Sequence, residues 1–535
     1  MSSGFFQRVV IQKFAIAIIF ALPVHAFAKA FVYCSEGSPT TFNPQQATDG
    51  PTFNASSRTI YDRLVEFKTG STEIRPGLAE SWSVSKDGLR YNFKLRRGVK
   101  FHSNEFFKPT RDFNADDVVY SFEVQKNKNH PLGQKNATYE YFVSMEMDKL
   151  LKEIRKVDET TVEFVLSRPE SPFLANLAMD FASILSKEYA EQLQKAKRPL
   201  ETMNTSPVGT GVYKFRSYQK DTLIRFDRNA DYFGAKAKVD QLIFAITTDP
   251  SVRFQKLKAG ECHLVTEPAP QDLQSMKSFG SIQLMEAEGM NIGYLAFNTE
   301  KKPFNDVKVR KAIAHALHRD AYIKAIYLDR AVVAKNPIPP TLWSYRRSTT
   351  IDVYDPGLAK KLLKEAGYPS GFETTLWTLP VSRPYNPAGK KMGEMMQADL
   401  AQVGIKVKLM TYDWGTYLEK ARLGQHEMLQ LGWSGDNGDP DNFLAVLLSC
   451  AAARNGANYA RWCDKKFDDL VIKAKQTSDQ KVRIRLYEEA QAEFSKQTPF
   501  LPLAHAKVYR AMAKSATGYK IHPLGVDILT EVDLK

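Results

Sequence analysis

Three aspartates, Asp436, Asp439 and Asp441, stand close together in the stretch GWSGDNGDPDNF (residues 432–443), in a chain whose net charge is +14. Oxygen-rich Asp/Gly loops of this kind can hold calcium. The spacing argues otherwise. An EF-hand loop starting at Asp436 requires glycine at its sixth position and glutamate at its twelfth, where this chain has Asp441 and Leu447. No calcium, zinc or other metal site is therefore expected here, and the acidic cluster needs another partner.

Other reactive constellations are missing. The chain contains no GxSxG elbow, no HExxH, no GxxxxGK[ST] and no GxGxxG opening a helix. Its nine histidines are dispersed, with His315 and His318 inside an amphipathic helical pattern where capping or surface roles are commoner than ligation. Four cysteines, Cys34, Cys262, Cys450 and Cys463, lack the close CxxC spacing of a zinc site. They allow three disulfide pairings, of which neighbours along the chain, Cys34 with Cys262 and Cys450 with Cys463, are the expected pairs. No enzyme and no cofactor are expected from these residues.

The acidic stretch follows an apolar run, MLQLGW, that reads as a strand, and open α/β sheets bind ligands off strand carboxyl ends. The elements around it support that setting. Residues 91–101 (YNFKLRRGVKF) alternate at period two after the turn signal Lys86-Asp87-Gly88, as in a half-buried hairpin. Asn114, followed by Asp116 and Asp117, starts a helix; residues 159–169 and 239–250 read as strands, and a short helix from Ser251 stops at Gly260. From about residue 290, helices and strands alternate, which implies α/β units. Residues 307–327 read as one continuous helix, and a further helix follows Asp355-Pro356.

Arg8 and Lys13 precede an apolar core, FAIAIIFALPV, and Ala26-Phe27-Ala28 gives a small-x-small cleavage pattern. Residues 1–28 read as a cleaved signal peptide, with a mature chain beginning at Lys29. The apolar run is shorter than the roughly 20 residues that span a bilayer, and Cys34 lacks the small residues of a lipoprotein signal. The product is expected to be soluble and exported. A length of 535 residues predicts about three domains. Hydrophobic content of 43% and charged content of 25% are ordinary for a globular chain. Basic residues are scattered among acids, a pattern of a solvated surface and not of nucleic-acid binding.

A set of collinear motifs resembles the family 5 solute-binding proteins of peptide importers: PGLAESWSVSKDGLRYNFKLRRGVKFH, FNADDVVYSF, SPVGTGVYKF, NADYFG, YLAFNTEKKPFNDVKVRKAIAHAL and YDPGLAKKLLKEAGY. VYCSEGSPTTFNPQ, LAMDFASILSKEYA, PVSRPYNP and GWSGDNGDPDNF resemble its dipeptide-binding members in particular. The resemblance covers essentially the whole mature chain. It implies an α/β, two-lobed periplasmic binding protein fold (type II, cluster C) with an extra domain in the first lobe. A discontinuous domain would comprise residues 29–60, 212–288 and 507–535, the extra domain 61–211, and the second lobe 289–506.

The resemblance also implies a role for the acidic stretch. A free peptide is a zwitterion, so a cleft that selects it needs a buried anion for the ammonium and a cation for the carboxylate. Asp436 matches the family position for the ammonium, and Arg383, in PVSRPYNP, the dipeptide-binding position for the carboxylate, where a planar guanidinium can bond both oxygens. Trp433 would supply an aromatic wall, and main-chain groups near Thr48, Gly50 and Gly432 would pair with the peptide bond. Asp439 and Asp441 read as turn formers around Gly438 and Pro440 that cap the next helix. The expected protein is a monomeric periplasmic receptor of a Gram-negative bacterium, delivering dipeptides to the permease subunits of an inner-membrane ABC importer. Relatives of similar sequence bind haem, 5-aminolevulinate, glutathione or antimicrobial peptides, and a chaperone-like or hydrolytic protein is the alternative of another class.

Overall fold

The computed structural model describes Met1 and residues 28–350 and 352–535, so nearly all of the expected signal segment lies outside the described residues. Its frame is one 12-stranded mixed sheet. In one half, Ala30–Ser35 runs parallel to Gln241–Ile246 and Leu264–Thr266, and antiparallel Leu223–Arg228 and Tyr213–Gln219 extend the edge. In the other half, Asn291–Phe297 lies antiparallel to Met428–Ser434, which is parallel to Glu373–Trp377; that strand in turn is parallel to Lys406–Met410. Every residue of Asn291–Phe297 is buried, because helices and neighbouring strands cover both its faces.

One long strand, Phe500–Ala513, belongs to both halves. Its start pairs with Asn291–Phe297 and its end with Ile282–Glu288 and Leu264–Thr266. The chain crosses between halves here and at residues 288–291. Asn291 locks the two crossings together: its side-chain amide donates to the Ala506 carbonyl at 2.8 Å and its Oδ1 accepts from the Ala506 N–H at 2.9 Å. The result is a two-lobed molecule with the lobes joined through paired strands. A separate four-stranded antiparallel sheet, in the order Ala79–Val84, Arg90–Leu95, Thr161–Leu166, Leu151–Asp158, forms the core of the extra part of the first lobe.

Local signals place many of these elements. Tyr91, Phe93 and Leu95 alternate into the core, as period-two patterning requires. Asn114 and Asp117 form a reciprocal capping box on Ala115–Lys126, and Pro250–Ala259 ends at Gly260 with φ 77°. Two expectations need correction. Residues 307–327 form two helices, Val307–Ala316 and Arg319–Tyr327. The break is tertiary: the His318 N–H donates to Asp399 Oδ2 at 3.0 Å, and buried Arg319 donates to the carbonyls of Ala334, Pro502 and Asp352. Likewise, residues from Phe31 to about Val99, whose pattern reads as short strands and turns, contain the helix Gly50–Ala55, capped by Asp49 with Pro51 in its first turn.

Both disulfides join neighbours along the chain. Cys34 bonds Cys262 across the first half of the sheet, and Cys450 bonds Cys463 around a 13-residue separation.

Candidate functional site

The strand Met428–Ser434 delivers the acidic stretch to the gap between the lobes. Among the described residues its pairing with Glu373–Trp377 ends at Leu429, so from Gln430 onward only Asn291–Phe297 accompanies it. Gly432 lies buried in this half-free section. A Cβ there would sit 2.2 Å from the ring of Tyr385, so only glycine lets that ring close over the strand.

Beyond the strand the chain turns sharply and fixes itself with one side chain. Asn442 Oδ1 accepts from both the Trp433 indole N–H (3.0 Å) and the Asp436 backbone N–H (2.9 Å). Trp433 and Asp436 are thereby set in one rigid turn. Asp436 Oδ1 accepts the Tyr141 hydroxyl at 3.0 Å, whereas Oδ2 is sealed from solvent and has no hydrogen-bond partner. Burial pushes the carboxyl up to about 7, against the Tyr141 and Asn442 hydrogen bonds that favour its ionised form; Asp180 raises it further and Arg58 opposes. An acid with one orphaned, desolvated oxygen has room to accept a cationic donor.

Arg383 stands in the loop after Glu373–Trp377. It is half-buried, pairs through its backbone with Asn386, and holds its guanidinium 5.3 Å from the Trp414 ring centroid. Among the described residues no carboxylate oxygen lies within 4.0 Å of it. Its positive charge opposes the burial that raises the phenol of Tyr385, the ring that covers Gly432. Tyr385 itself is tethered, its carbonyl accepting the Tyr327 hydroxyl at 2.6 Å. The second lobe thus carries an anion without a counter-ion in the turn after Gly432 and a carboxylate-free cation in the loop of Tyr385, the ring that covers Gly432.

Gly50 opens the helix Gly50–Ala55, whose Phe53 lies 6.0 Å, centroid to centroid, from the Tyr141 ring. Gly50 is therefore linked to Asp436 through Phe53 and Tyr141. Thr48 is exposed two residues upstream and has no recorded contact with the other candidates. Asn437 adds a direct bond between lobes, its amide donating to Asn176 Oδ1 at 2.7 Å. Tyr141 and Asn176 carry no sequence signal for this role, because nothing local marks a residue that acts across a cleft. The Asp49-Gly50-Pro51 helix start did carry one.

The other two aspartates have different partners. Asp439 accepts the Asp441 N–H at 3.0 Å, a local turn bond, and both its oxygens take the same nitrogen of Arg483 at 2.8 and 2.9 Å. Asp441 is the first residue of the helix Asp441–Leu448 and faces Lys475 at 3.6 Å. Among the described residues no cluster of three or more His, Cys, Asp or Glu is placed to hold a metal, and no helix is long and apolar enough to cross a membrane.

Two α/β lobes joined through paired strands define a solute-binding receptor of the periplasmic binding protein type (type II, cluster C). The family model for bacterial extracellular solute-binding proteins, family 5, matches residues 73–455. The chain belongs to that family. It is 52% identical over 499 residues to the dipeptide-binding protein of Escherichia coli (strain K12), covering 93% of each chain. It is 45% identical over 498 residues to heme-binding protein A of Haemophilus influenzae, covering 93% of this chain and 91% of the relative. The crystal structure of a dipeptide-binding protein from Pseudoalteromonas sp. SM9913 in complex with Met-Leu superposes with a TM-score of 0.88 at 39% identity, covering 95% of this chain and 100% of the other.

Proposed function

We propose that this protein is a non-enzymatic periplasmic receptor that captures dipeptides between its lobes and delivers them to an inner-membrane ABC importer. The observation that carries the reading is Asp436: its Oδ2 is buried with no partner, beside a strand edge and in the same lobe as the unpaired Arg383. A dipeptide satisfies all three. Its ammonium takes the orphaned oxygen, its peptide bond meets main-chain groups of the strand around Gly432 and of the Thr48–Gly50 loop, and its carboxylate takes the guanidinium. Trp433 borders the ammonium end. The division into residues 29–60 with 212–288 and 507–535, 61–211, and 289–506 is part of the proposal.

A haem-binding reading follows from the Haemophilus relative. His102, His426 and His505, however, are buried, and each bonds a main-chain carbonyl through one ring nitrogen, at 2.8, 2.7 and 2.8 Å. These three are committed to the fold and not offered to a ligand. Mass spectrometry of small molecules released from the purified, denatured protein tests the reading directly. Dipeptides are expected; haem, 5-aminolevulinate, glutathione or a longer peptide in their place overturns it.

A further inference from the structure

The loop around Glu170 in the first lobe meets the end of the helix Lys465–Lys475 in the second. Lys475 Nζ lies 3.1 Å from Glu170 Oε1 and 3.6 Å from Asp441 Oδ1, and Arg168 Nε lies 3.4 Å from Glu170 Oε2. All of this is out of water: the side chains of Glu170, Asp441 and Lys475 are 1%, 3% and 11% exposed. The main chain closes the same seam, with the Ser171 N–H donating to the Lys475 carbonyl at 2.7 Å and the Ser171 hydroxyl to the Thr477 carbonyl at 2.5 Å. Beyond the Lys475 and Arg168 contacts the Glu170 carboxylate has no side-chain or main-chain partner among the described residues, so the ion pairs are what compensates its burial.

The two members of the pair are carried by different lobes. Glu170 follows the strand Thr161–Leu166 of the four-stranded sheet in the first lobe, and Tyr141 precedes Leu151–Asp158 of the same sheet; Lys475 and Asp436 belong to the second. Among the described residues the lobes are joined by chain only at residues 288–291 and within Phe500–Ala513. A solute can reach Asp436 only if the lobes turn apart about those strands, far enough to take Tyr141 off the carboxylate. The same turn takes Glu170 off Lys475. Lys475 keeps a counter-ion throughout, because Asp441 travels with it.

We propose that Glu170 and Lys475 form a latch across the lobes: an ion pair made on closure, independent of the solute, that sets how long a captured solute is held. Asp441 keeps the lysine charged and in position while the lobes are apart. Burial lowers the affinity of Lys475 for its proton, but the Asp441 and Glu170 carboxylates outweigh it and leave the proton held more tightly than usual. The latch rests on the two-lobed fold, not on the identity of the ligand.

A complete buried pair compensates its own desolvation, so the closed arrangement is held only while both partners are present, and removing one should penalise closure strongly. Glu170→Gln leaves a neutral Lys475–Asp441 pair, and Lys475→Met leaves two buried carboxylates. Stopped-flow release of the dipeptide Met-Leu is expected to speed up on the order of tenfold in Glu170→Gln and further in Lys475→Met, with association unchanged within about twofold. In the Asp436→Asn background the Glu170→Gln factor should be the same, because the latch does not touch the solute. Small-angle scattering of the ligand-free variants gives a second readout that needs no ligand. Lys475→Met should be more open than wild type. Unchanged release in both variants, a loss confined to association, or identical ligand-free shapes would overturn the latch. Failure of wild type to bind any dipeptide would overturn the proposed ligand and leave the scattering comparison to decide the latch.

Discussion

Replacing Asp436 with asparagine keeps the side chain's shape and removes its charge, and the structure says what that should cost. Burial between the lobes pushes the carboxyl from 3.8 up to about 7, so ionising it there costs on the order of 4 kcal/mol more than in water at about 1.4 kcal/mol per pH unit. A ligand ammonium relieves that cost by pairing with the free Oδ2. Truncating one member of such a desolvated pair typically costs about 2 to 5 kcal/mol, roughly thirtyfold to several thousandfold in affinity. Part of the penalty disappears with the charge in Asp436→Asn, so the lower end is expected. Calorimetry should show free dipeptides weakened by at least about thirtyfold, while N-acetylated dipeptides, which carry no ammonium, change by less than about threefold. Wild-type protein should itself discriminate strongly between the free and acetylated forms. Equal affinity of the wild type for free, N-acetylated and C-amidated dipeptides would refute the charge pairing, as would equal losses for the free and acetylated forms in the variant.

Arg383→Gln should weaken free dipeptides about tenfold or more and leave C-terminal amides nearly unchanged, again by calorimetry. Ligand-free closure should depend on pH through Asp436. An acid whose pKa is higher in the closed than in the open form favours closure below its open-form value, and loses that contribution as pH rises through about 7. Scattering of the ligand-free protein should therefore show a more compact form at pH 5 than at pH 8, and Asp436→Asn should reduce the difference, the remainder coming from Asp441, which burial and Glu170 of the other lobe also raise to about 7. Gly432→Ala puts a Cβ 2.2 Å from the Tyr385 ring, which should cost about 1 to 3 kcal/mol in urea unfolding and displace the loop that holds Arg383, weakening binding as well. Replacing Cys450 and Cys463 with serine should lower stability by about 3 kcal/mol, and Cys34 with Cys262 by about 5, since the second bridge closes a loop with a sequence separation of 228.

Local patterning is legible in the chain wherever the cause is local. Asn114 with Asp117, Asp355 before Pro356, and Gly260 after its helix are capping effects that act within a turn, so their residue types announce them. The alternation of helices and strands after residue 290 is likewise a matter of apolar spacing along the chain. The stretch around Asp436 could be matched to a family and its calcium reading dismissed on spacing.

What the chain could not disclose depends on residues far apart in it. The helical pattern of residues 307–327 is interrupted because Asp399 and the carbonyls of Ala334 and Pro502 capture His318 and Arg319. Three aspartates of one short stretch, alike on paper, are separated only by what folding brings to them. Asp439 receives Arg483, Asp441 receives Lys475, and Asp436 receives Tyr141 from the other lobe and keeps one oxygen unpaired. A carboxylate's role is set by its desolvation and its partners, and both exist only once the lobes have come together.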